Sequence, residues 1–474
     1  MKHQLVTLVF LLLGLRQLSN PTCIAADDRP LNVLMIVIDD LGGSDLGCYG
    51  SDYYQTPHLD GFAANNLRFT QAYAAAPVCS PTRASLLTGQ SPARLQLTIW
   101  HEGAVRGGPT DEKLRDAVSR SALPLESVTL AELFHQRGYF TAHIGKWHLG
   151  TATHYPENQG FDLNVGGTHW GAPATFFYPF AGGFSASEES PRYVPGLMPS
   201  DSGDYLTDRL TDRAIETITQ VRDRPFFMSL WYHTVHSPIE APADLVDAAR
   251  QRPAGAHQKD PTYAAMVARM DWNVGRVLQS LEEQGLTDRT IVIVTSDNGG
   301  VDVPVRYTTP TNNFPHRSGK GTLYEGGLRV PLMISWPGRT ARGTTCHIPV
   351  TSQDLAVTLH KAFDFDLPAE QVVDGMSLLE QLSKPTTQLG RETLYWHFPH
   401  YYTRMTPSSA LRHQDWKLIY RYEDNAVELY NLADDPSESK DLAQIDLARA
   451  TALRAQLDSW LKSVNANLPR SASP

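Results

Sequence analysis

The chain has 474 residues, 41% of them hydrophobic and 9% aromatic, and a formal net charge of −10. That length suits two to three domains, or one large α/β domain with a smaller companion, and the composition suits an extensive core. The acidic balance, with no long basic run, argues against a nucleic-acid partner, so any anion site must be a local basic pocket in an acidic molecule.

Taken in order, Lys2 and His3 precede a largely apolar run over 5–15, and Cys23-Ile24-Ala25-Ala26 offers cleavage positions. A cleavable secretory signal over 1–26 is predicted, and with it an exported protein, periplasmic or secreted. The run is short for a bilayer span and no later stretch is long and apolar enough, so no stable membrane insertion is expected. Without the signal, Cys48, Cys79 and Cys346 remain, too few for a disulfide framework. Cys48 and Cys346 either pair or stay as buried thiols.

Residues 31–38 form an almost continuous apolar, β-branched run, the pattern of a strand buried on both faces of a parallel sheet. It ends in Asp39-Asp40. Two carboxylates there are costly without a partner, and ligands bind beyond the carboxyl ends of such strands. Next comes Cys79-Ser80-Pro81-Thr82-Arg83-Ala84-Ser85-Leu86-Leu87-Thr88-Gly89. Pro81 suits a first helical turn, which puts Cys79 at or just before a helix N-terminus with Arg83 on the same face. The dipole there favours a thiolate. By itself the pattern also describes a buried cysteine opening a core helix.

The strand-then-ligand pattern recurs three times. Residues 139–144 run into Gly145-Lys146-Trp147-His148, residues 226–232 into His233-Thr234-Val235-His236-Ser237-Pro238, and residues 290–296 into Asp297-Asn298-Gly299-Gly300. Parallel strands would bring all four ends to one edge of a sheet. Helices predicted over 125–138, 204–221 and 263–285 supply the crossovers. The stretches 97–123 and 166–203 are rich in Gly, Pro, Ser and aromatics and read as long loops of the kind that bind ligands. A strand with its turn follows at 329–337, and a helix at 350–363. After a polar linker at 383–392, residues 416–422 and 426–432 read as a hairpin, and 443–464 as a helix over it. The predicted fold is α/β: a large, mostly parallel central sheet flanked by helices over 30–382, and a small C-terminal α+β subdomain with an antiparallel sheet over 391–474.

Asp39, Asp40, Asp297 and Asn298 are hard oxygen ligands, and no cysteine cluster or close histidine pair competes with them. Such a set selects Ca²⁺ or Mg²⁺ over zinc. Arg83, Lys146, His148, His236 and Lys320 would stand around it. A divalent metal among several cations is a site for a tetrahedral anionic group in transfer.

Together, Asp39-Asp40, Cys79-x-Pro81-x-Arg83, Gly145-Lys146-Trp147-His148, His236-x-Pro238, Asp297-Asn298-Gly299 and Gly319-Lys320-Gly321-x-x-Tyr324-Glu325-Gly326-Gly327 resemble the motifs of type I, formylglycine-dependent sulfatases of the alkaline phosphatase superfamily. The likeness is to exported bacterial polysaccharide sulfatases of the arylsulfatase A kind. It implies a sulfuric ester hydrolase with one Ca²⁺ held by Asp39, Asp40, Asp297, Asn298 and residue 79. It implies that a maturation enzyme oxidises Cys79 to formylglycine, whose hydrated aldehyde attacks sulfur. His236 would protonate the leaving oxygen, with His233 as the alternative. Lys146 and Lys320 would hold sulfate oxygens, His148 would take the proton that lets sulfate leave, and Arg83 would hold the aldehyde hydrate. A sulfated carbohydrate substrate is implied, and Trp100, His169, Trp170, His397, His400 and Arg412 are of types that stack on or hydrogen-bond sugars. Rival readings are a phosphonate or phosphate monoester hydrolase of the same superfamily, and a non-catalytic, Ca²⁺-dependent glycan-binding relative.

Overall fold

The apolar run after Leu31 forms β1 (Asn32–Ile38), an inner strand of an eight-stranded sheet. The computed structural model describes residues 30–184 and 191–472. The predicted signal, with Cys23, lies outside the described residues. From Leu31 onward the chain is one compact unit. After β1 come β2 (Leu67–Phe69), α1 (Cys79–Thr88), α2 (His101–Arg106), α3 (Leu130–Gln136), β3 (Phe140–Gly145) and β4 (Leu163–Val165). Then follow α4 (Leu206–Val221), β5 (Phe226–Trp231), α5 (Pro261–Glu283), β6 (Thr290–Ser296), β7 (Leu332–Ser335), β8 (Thr344–Cys346) and α6 (Ser352–Ala362). Other elements between them, among them the helices Pro57–Asn65 and Ala243–Arg250, are left unnumbered.

The sheet order is β8-β2-β7-β6-β1-β5-β3-β4. The five strands from β6 to β4 run parallel, while β7 is antiparallel to β6 and to β2. The alternation along β1 sorts its side chains between two layers. Leu34, Ile36 and Ile38 pack with Leu206, Leu210 and Ile218 of α4 and Met266, Met270 and Val274 of α5. Val33, Met35 and Val37 pack with Leu86 and Leu87 of α1, Phe134 of α3 and Leu355 and Leu359 of α6. Each such side chain contributes roughly 1.5–3 kcal/mol on full burial, and a one-residue slip would turn every one into the wrong layer. Helix starts follow their caps. Asp260 accepts the Tyr263 N–H at 2.7 Å ahead of α5. A capping box of Thr129 and Glu132 starts α3 later than the predicted 125.

The C-terminal sheet has four antiparallel strands, β9 (Thr393–Phe398), β10 (Ser408–His413), β11 (Trp416–Arg421) and β12 (Val427–Asn431), where the sequence predicted only the last pair as a hairpin. β10 is buried over Ser408–Arg412 despite two serines and an arginine, so it shows no two-residue hydrophobic period. One face packs under α7 (Leu447–Ser463) through Leu411, Leu418, Leu429, Leu453 and Leu457. The other face, with Trp396, Phe398, Ala410 and Ile419, packs on Tyr73, Val78, Leu323 and Leu328. It therefore supports both the approach to α1 and the Gly-rich loop. Cys48, Cys79 and Cys346 are free thiols. Among the described residues no helix is long and apolar enough to cross a membrane.

Candidate active site

The carboxyl ends of β6, β1, β5 and β3 stand side by side, and the segments that follow them meet. Backbone bonds lock the turn after β1 to the segment after β5: Asp39 N–H donates to Thr234 O at 3.0 Å, and Val235 N–H to Asp39 O at 2.8 Å. Asp40 takes a left-handed φ of 61°, and its N–H donates to Asp297 Oδ1 at 3.2 Å. The result is a buried cluster in which donor atoms of Asp39, Asp40, Asp297 and Cys79 all lie within 4.8 Å of one another.

Three cations interlock with it. Lys146 Nζ is 2.7 Å from Asp39 Oδ2. Arg83 reaches Asp297 Oδ2 with Nε at 2.8 Å and Nη2 at 2.7 Å, and donates from Nη1 to the Lys146 carbonyl at 2.9 Å. Lys320 Nζ lies 2.6 Å from Asp40 Oδ1 and 3.4 Å from Cys79 Sγ. The Gly-rich loop carrying Lys320 is anchored from behind. Glu325 accepts from Lys417 Nζ at 2.8 Å, and Lys417 also meets Glu438 at 2.9 Å.

Burial first, then Asp297 and Asp40, push the Asp39 carboxyl up to about 8 against the pull of Lys146. Burial acts on Asp40 too, but Lys320 and His236 hold it below the ordinary carboxylate range. Arg83 and Lys146 do the same for Asp297 against its burial. Cys79 opens α1 as expected, but burial pushes its thiol up to about 12. The pull toward a thiolate expected at the helix terminus does not prevail, because desolvation outweighs even the charges of Lys146 and Lys320.

The donor set fits a hard divalent cation. Asn298 donates from Nδ2 to Asp40 Oδ1 at 2.8 Å, while its Oδ1 is buried without a partner. Three carboxylates and that amide oxygen are the ligand types such an ion takes, and none is an imidazole.

Three histidines lie around the cluster. His236 Nδ1 donates to the Ser237 carbonyl at 2.8 Å, leaving Nε2 3.5 Å from Asp40 Oδ2. Burial, then Lys320, push it down to about 3. His233 is buried, with Nδ1 unpartnered. His148, with a φ of 61°, places Nε2 2.6 Å from Glu102 Oε2. Sequence reasoning passed over Glu102, which lies next to His101 in a stretch with no motif. It also passed over Tyr402, whose ring meets Trp100 edge-on at 5.5 Å and whose hydroxyl feels the charge of Lys320.

The remaining sugar-type residues fall in two places. His169 and Trp170 pack tilted, with ring centroids 4.2 Å apart, and, with His101, Glu102, Arg106 and His154, line a cavity of ≈ 450 Å³. Trp170 Nε1 is buried there with no hydrogen-bond partner among the described residues, and Trp100 stands at the N-cap position of α2 without a side-chain capping bond. His397, His400 and Arg412 are not brought to the cluster or to this cavity. His397 bonds Ser409 Oγ at 2.6 Å and the Asn467 carbonyl at 2.8 Å. His400 bonds Thr98 Oγ1 at 2.8 Å. Arg412 donates to the Gln414 carbonyl at 2.7 Å and to Tyr73 Oη.

The sulfatase family matches this chain over residues 31–365, and the N-sulphoglucosamine sulphohydrolase C-terminal family over 318–467. A sulfatase of Formosa agariphila is 31% identical, with 98% of this chain and 94% of the relative covered. Arylsulfatase A of Homo sapiens is also 31% identical, over 87% of this chain and 83% of its own length. Among solved structures, Ps i-CgsB in complex with k-i-k-neocarrahexaose superposes with a TM-score of 0.76 at 26% identity, covering 91% of this chain and 93% of that one.

Proposed function

This chain belongs to the sulfatase family and is a sulfuric ester hydrolase; we propose that it releases sulfate from sulfated poly- or oligosaccharides, with a formylglycine made from Cys79 and one Ca²⁺ at the cluster. The observation that carries this reading is the convergence of Asp39, Asp40, Asp297 and Cys79 within 4.8 Å, beside an Asn298 oxygen that lacks a partner. A saccharide substrate is supported by the relative solved with neocarrahexaose, and by a cavity lined with His169 and Trp170 that opens beside Glu102.

Asp39, Asp40, Asp297 and Asn298 would hold the Ca²⁺, which supplies charge that acidifies a bound hydroxyl and draws electron density from sulfate oxygens. Oxidation of Cys79 by a maturation enzyme supplies an aldehyde hydrate in place of a thiol that is inert at neutral pH. The chain's own groups do the rest. Lys146 and Lys320, already 2.7 and 2.6 Å from the carboxylates, turn their ammonium groups onto the sulfate oxygens. Arg83 keeps Asp297 and the β3 turn in place through its bonds to the carboxylate and to the Lys146 carbonyl. His236 is fixed at Nδ1 by the Ser237 carbonyl, so Nε2 is the atom that delivers a proton to the leaving alcohol oxygen. An anionic sulfate ester beside it raises its proton affinity from the low value that burial imposes. His148 accepts the proton whose loss lets sulfate depart.

The test begins with mass spectrometry of residue 79 in the exported protein. Sulfate release is then measured from a glycan panel, with Ca²⁺ and after chelation, for wild type and Cys79→Ala. Formylglycine at 79 and Ca²⁺-dependent release that Cys79→Ala abolishes are expected. Undiminished turnover by Cys79→Ala sinks the mechanism, and phosphonate turnover far above sulfate turnover replaces it with the rival hydrolase.

A further inference from the structure

Glu102 has a worked-out place but no assigned task. Its Oε2 lies 2.6 Å from His148 Nε2. Its Oε1 takes the Gly171 N–H at 3.0 Å and faces Arg192 Nη2 at 3.8 Å. Two bare lone pairs repel at 2.6 Å, so one of the pair carries a hydrogen. Burial pushes Glu102 up, but His148 and the Gly171 N–H hold its carboxyl below the ordinary range, so it is ionised. The hydrogen is therefore on Nε2.

Burial pushes His148 down to about 4 against the pull of Glu102. The charges that face the ring are Glu102 from α2, Lys146 from its own turn and Arg83 from α1. Near pH 7 the neutral ring has one hydrogen to place, and Nδ1 is left as a lone pair. That atom is buried and has no hydrogen-bond partner among the described residues. The ring packs directly against Gly171, where an added Cβ would lie 2.3 Å from His148 Cε1. The His148 carbonyl accepts from Ser80 Oγ at 2.7 Å, directly beside residue 79.

Resting on the formylglycine reading above, we propose that Glu102 is a positioning residue that fixes His148 as its Nε2–H tautomer, so that Nδ1 receives the proton given up at residue 79 when sulfate is released. The logic is that of a carboxylate holding the far N–H of a catalytic imidazole. Glu102 contacts neither the cation ligands nor residue 79; its Oε1 is engaged by the Gly171 N–H at the edge of the neighbouring cavity, and its reach toward residue 79 is through His148.

The experiment uses the matured, full-length protein as wild type, Glu102→Gln, Glu102→Ala and His148→Asn. The first readout needs no turnover: a short Nε2–H···O⁻ bond gives a far-downfield proton resonance, assigned by its loss in His148→Asn. It is expected in wild type, displaced in Glu102→Gln, where a neutral amide oxygen accepts less strongly, and lost in Glu102→Ala. The second readout is sulfate-ester kinetics. Glu102→Ala is expected to lower kcat roughly 10–100-fold with KM within about twofold, and the near-isosteric Glu102→Gln to fall between. A wild type without a His148-dependent resonance, or a Glu102→Ala kcat within about twofold of wild type, overturns the proposal. If wild type and Cys79→Ala release sulfate equally, the formylglycine reading fails on its own, while the resonance still decides whether Glu102 orients His148.

Discussion

Replacing Lys417 with methionine tests whether the support behind the Gly-rich loop is electrostatic. Lys417 is fully buried between Glu325 Oε1 at 2.8 Å and Glu438 Oε1 at 2.9 Å, and the carboxylates are themselves at most 2% exposed. Glu325 keeps partners without it: Arg329 at 3.2 Å and the Tyr73 hydroxyl at 2.8 Å. The charge left unmatched is therefore that of Glu438, whose carboxyl burial already pushes up to about 7. Leaving one member of a buried ion network unpaired costs about 3–5 kcal/mol, and the surviving bonds of Glu325 place the expectation near the lower end. For 474 residues the unfolding entropy is about 1 kcal/mol/K, so Tm should fall by about 3 °C at pH 8. The sign of the pH dependence follows from the raised carboxyl. A carboxyl with a folded pKa above its unfolded value costs stability once pH rises past the unfolded value, and the cost is relieved as pH falls through the folded one. Losing Lys417 raises the folded value further, so the defect should shrink to about half or less at pH 5. Thermal unfolding followed by tryptophan fluorescence, at fixed protein concentration and both pH values, reads the outcome. A Tm within about 1 °C of wild type at pH 8, or a defect that grows on acidification, would refute the reasoning.

Three more expectations are open to measurement. Arg83→Met strips Asp297 of its direct ion-pair partner in the interior, while Asp39 keeps Lys146, so it should cost about 3–5 kcal/mol in urea unfolding and abolish sulfate release together. Gly145→Ala should lower stability by more than about 2 kcal/mol, because residue 145 has a φ of 107° and a Cβ there would sit 1.9 Å from the Trp231 carbonyl oxygen; soluble variant with an unchanged urea midpoint would contradict this. Burial pushes His397 down to about 4 in the folded chain. Stability from its neutral form is complete above the unfolded value near 6.5 and is lost as pH falls from there toward 4, by at most about 3 kcal/mol; urea midpoints at pH 7.5 and 5 should therefore fall less steeply in His397→Gln than in wild type.

Residues whose neighbours share a short stretch or a strand end were the legible ones. The β1 run announced both its burial and its two carboxylates, and the α5 stripe of Met266, Met270 and Val274 announced a helix on that sheet. The parallel arrangement then brought Asp39, Asp40, Lys146, His236 and Asp297 together without any further information. Glu102 was not legible, because its bond to His148 spans 46 residues and irregular chain, and nothing local distinguishes it from a surface acid. β10 was missed because a strand buried almost throughout, with its polar groups paired inside, carries no hydrophobic alternation; β9 does alternate half-buried Thr393 and Tyr395 with buried Leu394 and Trp396, and was simply passed over. His397 and Arg412 belong to those strands, and their polar atoms are taken up by Ser409, Asn467 and Gln414.

The two-layer sorting of β1 has a bearing on how chains of this architecture can diverge. The frame that sends Leu34, Ile36 and Ile38 one way and Val33, Met35 and Val37 the other also sets where Asp39 and Asp40 emerge, one and two residues past its end. A single codon gained or lost within 32–38 would misplace core and donor set at a stroke. Length changes in 166–203, or in 97–123 away from Glu102, alter only what surrounds the reacting group. Variation is thereby channelled into the long connections, so that substrate preference is free to drift while the chemistry stays locked to the sheet.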